Sequence, residues 1–147
     1  MKWVVLAVGR LREAWVAEGC EEYAKRFRGK QAFEIVEVKD DAELARKLAA
    51  LRAGGRARVW ALDERGEQVT SEELAQKLGE LADAGEATTI VFVIGGADGL
   101  PPEVVRGADR RWSLGKLTLP HRIARLVVVE QLYRALSILR REPYHRP

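Results

Sequence analysis

The 147-residue sequence holds one cysteine and two histidines, and each shortage removes a class of chemistry. A lone Cys20 excludes an intrachain disulfide and fits a reducing compartment, so a cytoplasmic protein is expected. His121 and His145 are far from Cys20 in the chain, which leaves no ligand set for structural zinc, and no metal is expected. No apolar run approaches the ~20 residues needed to span a bilayer. The apolar stretch Trp3–Val8 stops at Gly9-Arg10 without a small-residue cleavage site, and reads as a first core strand rather than a signal peptide. The dinucleotide fingerprint Gly-x-Gly-x-x-Gly, the Gly-Lys-Ser/Thr phosphate loop and the Gly-x-Ser-x-Gly elbow are all missing. Nothing singles out a carboxylate pair of the glycosidase kind.

What remains is the balance of a folded globular protein, 47% apolar and 32% charged. The net charge of +3 is too small to point to a partner, because nucleic-acid binding is betrayed by clustering. Two clusters exist: Arg10, Arg12, Lys25, Arg26, Arg28 and Lys30 around the first helix, and Arg140, Arg141 and Arg146 at the C-terminus. They read either as solvated helix faces or as phosphate contacts.

Hydrophobic period alternates between strand and helix along the chain. Lys2–Val8 reads as a buried strand. Leu11–Phe27 reads as a helix whose inner side carries Leu11, Trp15, Cys20, Tyr23, Ala24 and Phe27. Phe33–Val38 is a strand open on one face. Asp40 or Asp41 caps a helix bearing Leu44, Leu48 and Leu51, closed by Gly54-Gly55. A third strand, Ala57–Leu62, enters the turn Asp63–Gly66. Thr70 with Glu73 forms a capping box ahead of Leu74, Leu78 and Leu81. Thr88–Ile94 is a continuous β-branched and aromatic run, the pattern of a strand covered on both faces. Strands separated by helices predict an α/β fold, a mostly parallel sheet with helices on both faces, in one domain spanning 1–147.

The last long element, His121–Leu139, is apolar on more than one side and needs two partners. The second is either another copy of this chain or a neighbouring helix of the same one.

Ligands in parallel sheets bind at the carboxyl ends of strands. Two such ends stand out: Ile94 followed by Gly95-Gly96-Ala97-Asp98-Gly99, and Leu62 followed by Asp63-Glu64. The glycines build either a tight turn or a close approach for a ligand. Trp112–Arg122 is apolar yet fits neither helix nor strand. Its backbone N–H and C=O groups need partners, which either a ligand such as an adenine ring or an adjacent loop would supply.

Leu62, Ile94–Leu100, Ser113–His121, Glu130–Ala135 and the tail Pro143-Tyr144-His145-Arg146 occur in one order. Together with Leu6–Leu11 and Glu22–Arg26 they closely resemble the RlmH family of the SPOUT methyltransferase class. The resemblance covers nearly the whole chain. It departs from the family pattern in a shorter Val38–Leu44 segment and in Gly115, where relatives often carry serine.

The resemblance implies a C-terminal deep trefoil knot, a homodimer, and S-adenosylmethionine held by Leu62, Gly95, Leu114, Gly115, Lys116, Leu117, Thr118 and Leu119. It implies methylation of N3 of a pseudouridine in 23S rRNA within the assembled 70S ribosome. Tyr144, His145 and Arg146 are the catalytic candidates: Tyr144 to stack on or hydrogen-bond the base, His145 to manage the N3 proton, Arg146 to hold phosphate or anionic character. The bland alternative for these three is a frayed terminus. Two other functions remain open from the residues alone: a non-enzymatic RNA-binding protein with a degenerate pocket, and a SPOUT enzyme acting on tRNA.

Overall fold

The computed structural model describes residues 1–147. Five strands, β1 (Lys2–Val8), β2 (Phe33–Val38), β3 (Ala57–Gln68), β4 (Thr89–Ile94) and β5 (Arg110–Ser113), form one sheet in the order β2-β1-β4-β3-β5. Every pairing is parallel. The helices are α1 (Ala14–Lys25), α2 (Asp41–Arg52), α3 (Ser71–Ala84), α4 (Pro102–Gly107) and α5 (His121–Leu139).

Alternation along the strands divides the interior in two. Val5, Ala7, Ile90 and Phe92 face the larger core, filled by Val16 and Cys20 of α1, Leu74 and Leu78 of α3, and Val128, Val129 and Leu132 of α5. Leu6, Val8, Val91 and Val93 face the smaller core, closed by Leu44 and Leu48 of α2, with Val104 of α4 packed at its margin. Burying each such side chain is worth about 1.5–3 kcal/mol, so β1 and β4, buried on both faces, anchor the sheet. Helices α1 and α3 carry the chain in one direction across the sheet on one face, and α2 and α4 carry it back on the other. All four crossovers therefore have one hand, as parallel sheets require.

Local chemistry sets the helix boundaries. The Thr70 Oγ1 accepts from the Glu73 N–H at 3.0 Å while Glu73 accepts from the Thr70 N–H at 3.3 Å, which completes the expected capping box. Asp40 accepts from the Glu43 N–H at 2.9 Å. Helix α3 ends on Gly85 in the left-handed conformation, φ +67°, at no steric cost to glycine.

Three features differ from the sequence-based expectation. Helix α1 begins only at Ala14, and Trp15 lies on its outer side, 58% exposed; Val16 fills the inward position instead. Asp63–Gly66 is not a terminal turn, since β3 resumes beyond it: Leu62 and Glu67 both register with Trp112 of β5. The four residues between form an excursion, and Gly66 presses against the backbone of Arg111 and Trp112, where a Cβ would fall 2.6 Å from a carbonyl carbon. The short elements α4 and β5 have too few residues to show a period.

Helix α5 lies on the sheet between α1 and α3. Leu126 meets Gly19 of α1, 3.1 Å from where a Cβ would stand, and Leu139 meets Gly79 of α3 at 3.0 Å. Its apolar flanks thus have neighbours within the chain, which accounts for much of the two-sided pattern.

Candidate functional site

The carboxyl ends of β3, β4 and β5 converge on a cavity of about 340 Å³, within the range of small-molecule sites. Leu62 and the excursion residues Asp63, Glu64 and Arg65 form one wall. Ile94 and Gly95 form the floor, with Asp98, Gly99 and Leu100 beside them. Leu114, Gly115, Leu117, Thr118 and Leu119 form the opposite wall, and His121 and Ala124 close it from the first turn of α5.

Two glycines shape this cavity. At Gly95 a Cβ would fall 2.4 Å from the Gly99 carbonyl carbon and 2.6 Å from the Leu100 nitrogen, so the loop folds over the end of β4 only because no side chain is there. Gly115 has φ +133° with open space where a Cβ would point. The Ser113 hydroxyl donates to the Gly115 carbonyl at 3.0 Å and accepts from its N–H at 3.1 Å, which fixes the turn out of β5.

Beyond that turn, the backbone N–H groups of Lys116, Leu117, Thr118 and Leu119 find no partner within the chain. They are free donors beside a cavity of mixed lining, and Leu117 is 80% exposed. An unpaired edge of this kind suits a flat heteroaromatic ligand that hydrogen-bonds along one side and stacks on its faces. Of the eight cofactor candidates all line the cavity except Lys116, whose side chain is exposed. Asp63, Asp98 and His121 join them; Asp63 and Asp98 follow the two strand ends, and His121 closes the irregular apolar stretch.

The catalytic candidates lie elsewhere in the same chain. Tyr144 rests on the outer side of α5, its ring 4.8 Å from that of Tyr133 in an edge-on contact. Its hydroxyl donates to Glu130 at 2.9 Å and shares a 3.0 Å hydrogen bond with the Tyr23 hydroxyl. Partial burial and those two neighbours push the Tyr144 phenol up from its ordinary value. Arg134 pairs with Glu130 at 2.7 Å and lies 4.8 Å from the centre of the Tyr144 ring. Its guanidinium also donates to His145 Nδ1 at 3.1 Å. That fixes the tautomer: Nε2 carries the proton and donates to Glu72 at 2.7 Å. The bond from His145 holds the Glu72 carboxyl below its usual range. Arg146 is exposed.

The tail is therefore clasped rather than frayed. None of its three candidates borders the cavity. Glu130, to which Tyr144 bonds, stands nine residues along α5 from His121, about 13 Å by helix rise.

Residues 1–145 match the family described as "Predicted SPOUT methyltransferase". The chain belongs to the SPOUT methyltransferase family. It is 45% identical to the ribosomal RNA large subunit methyltransferase H of Anaeromyxobacter sp. strain K, over 99% of this chain and 100% of that one. It is 48% identical to the protein of the same name from Rubrobacter xylanophilus, over 96% of each. Among solved structures, the SpoU methyltransferase AviRb from Streptomyces viridochromogenes, in complex with the cofactor AdoMet, superposes with a TM-score of 0.53. That match has 15% identity and covers 95% of this chain and 58% of that one, a likeness of fold. This SPOUT chain thus combines a full-length sequence match with a cavity at the strand ends.

Proposed function

We propose that this SPOUT methyltransferase transfers a methyl group from S-adenosylmethionine to N3 of a pseudouridine in 23S rRNA within the assembled ribosome. The observation that carries the reading is the cavity itself, with its free row of N–H groups from Lys116 to Leu119 beside Leu62, Gly95 and Leu114. The backbone of 116–119 would bind the adenine edge, and the apolar side chains of Leu62, Leu114 and Leu119 would pack its faces. When bound, the cofactor supplies a methyl group activated on a sulfonium, which needs neither a metal nor a covalent enzyme intermediate. The chain's task is to hold acceptor and donor in line and to help N3 lose its proton.

The enzyme would act in the cytoplasm as a homodimer with a C-terminal deep trefoil knot. Within one chain the clasped tail does not reach the cavity, so Tyr144, His145 and Arg146 would act in the cavity of the partner copy. No helix is long and apolar enough to cross a membrane.

The test is transfer of labelled methyl from S-adenosylmethionine to 70S ribosomes lacking the mark, with the nucleotide mapped by mass spectrometry. Label on N3 of a large-subunit pseudouridine is expected. Cofactor binding without label would favour a non-catalytic RNA-binding protein, and label on tRNA alone would move the substrate.

A further inference from the structure

A second concavity, of about 500 Å³, adjoins the first at the carboxyl ends of β1 and β4. The β1–α1 loop contributes Arg10 and Arg12, the start of the β2–α2 connection contributes Lys39, and α5 contributes Arg122. Asp98, Gly99 and His121 border both spaces, so the cavity and the groove share one wall. Its acidic members are Glu13, Asp41 and Asp98, and Glu13 lies 3.3 Å from Arg122. Arg10, Arg12 and Lys39 form no ion pair and are exposed. They are three uncommitted cations along one groove.

His121 is the second observation. It is half-buried in the shared wall, and its ring makes no hydrogen bond within the chain, in contrast to His145, which is held on both nitrogens. An imidazole with both edges free, between the first cavity and a cationic groove, is placed to meet a polar heterocycle. The groove also separates members of the sequence's first basic cluster. Arg10 and Arg12 line it, whereas Lys25, Arg26, Arg28 and Lys30 stand at or beyond the far end of α1. From Glu13 to Lys25 the axis runs about 18 Å.

We infer that this groove is the acceptor site for a single-stranded ribonucleotide segment, with Arg10, Arg12 and Lys39 on its phosphates and His121 on the base that receives the methyl group. The inference rests on the methyltransferase reading for the reaction but not for the groove, which binds RNA through charge whatever the acceptor atom. A splayed-out base entering beside His121 meets the cofactor cavity across the shared wall, while its flanking phosphates remain in the groove.

The experiment measures binding of 70S ribosomes and methyl transfer for wild type, R10E/R12E, K25E/R28E and H121A, with S-adenosylmethionine affinity as the folding control. R10E/R12E is expected to weaken ribosome binding about tenfold or more, and to flatten its salt dependence by about 0.7 in log–log slope per lost contact. Its cofactor affinity should stay within about twofold of wild type, since the cations lie outside that cavity; at tenfold, the change in Kd already exceeds any such drift. H121A is expected to keep ribosome affinity and to lose far more in kcat than in S-adenosylmethionine affinity, since His121 borders the cofactor cavity as well as the groove, with partial recovery of kcat in H121N, which keeps a hydrogen-bonding edge. Ribosome binding unchanged in R10E/R12E, or weakened as much by K25E/R28E, overturns the groove. Full kcat in H121A, or cofactor affinity lost in step with kcat, overturns the role of His121. Wild type that binds ribosomes through Arg10 and Arg12 yet transfers no methyl would sink the functional reading and leave the groove standing.

Discussion

Arg125 and Glu37 form an ion pair between α5 and the end of β2, with the guanidinium buried and the carboxylate half in water, 2% and 42% exposed. The other terminal nitrogen of Arg125 donates to the Gly9 carbonyl at 2.8 Å, and the Leu11 N–H donates to the same Glu37 carboxylate at 3.3 Å. One arginine thus ties α5 to the ends of β1 and β2, where the cationic groove begins.

This asymmetry in burial sets the first prediction. E37A strands a buried cation and should cost about 3 kcal/mol. R125M leaves a carboxylate that water can solvate, keeps most of the packing, and should cost less. Urea unfolding of the two variants decides the order, and an equal or larger loss in R125M contradicts it.

The glycines of the cavity differ in what they tolerate. In G95A the new Cβ meets the Gly99 and Leu100 backbone, so the loop must move, and cofactor affinity should fall about tenfold or more, the equivalent of about 1.4 kcal/mol. In G115A the Cβ meets open space, and only the backbone strain at φ +133° remains, of order 1–3 kcal/mol. Calorimetric titration should find G95A binding S-adenosylmethionine the more weakly, although both lower the melting temperature.

Much of this architecture was legible from residues alone. Four of the five strands, the capping box at Thr70 and the two-core division follow from period and polarity, because long buried segments leave strong patterns. Trp15 reads as core in the sequence, but a single aromatic beside Val16 shifts an apolar stripe by one helical position, and Val16 is the residue that turns inward. The return of β3 after Asp63–Gly66 was invisible, since it depends on Gly66 fitting against β5, a contact 45 residues away in sequence to Arg111. The strand ends at Leu62 and Ile94–Gly99 are legible from the sheet pattern, whereas Leu114–Leu119 as a ligand wall comes from the family motif. The clasp of the tail on Glu130, Arg134 and Glu72 could not be read, because nothing local pairs residues so far apart.

Removing Tyr144–Pro147 should abolish methyl transfer while S-adenosylmethionine affinity persists. If tail and cavity act across a dimer, mixing the truncated protein with G95A should restore turnover through composite sites. Unchanged turnover in the truncation alone would defeat the assignment, and a mixture without recovery would defeat the exchange between subunits.

The Tyr144 phenol, held above its ordinary value, links the clasp to alkaline stability. Its folded-state value is raised, so the stabilisation is complete below the ordinary phenol value of 10 and is lost as pH rises beyond it. Thermal unfolding between pH 8 and 11 should therefore show a steeper alkaline decline in wild type than in Y144F. Parallel profiles would mean that the hydroxyl does not couple to folding.

The free N–H groups of Lys116, Leu117, Thr118 and Leu119 carry a consequence for how such an enzyme can drift and how it should be mapped. If the ligand is held by main chain, recognition there is blind to side-chain identity, so alanine at the exposed positions Lys116 and Thr118 would pass almost in silence. Substitution by proline, which deletes the donor itself, would be heard at once. Lineages would then be free to rewrite these exposed side chains, Lys116 first among them, while keeping the same main-chain donors.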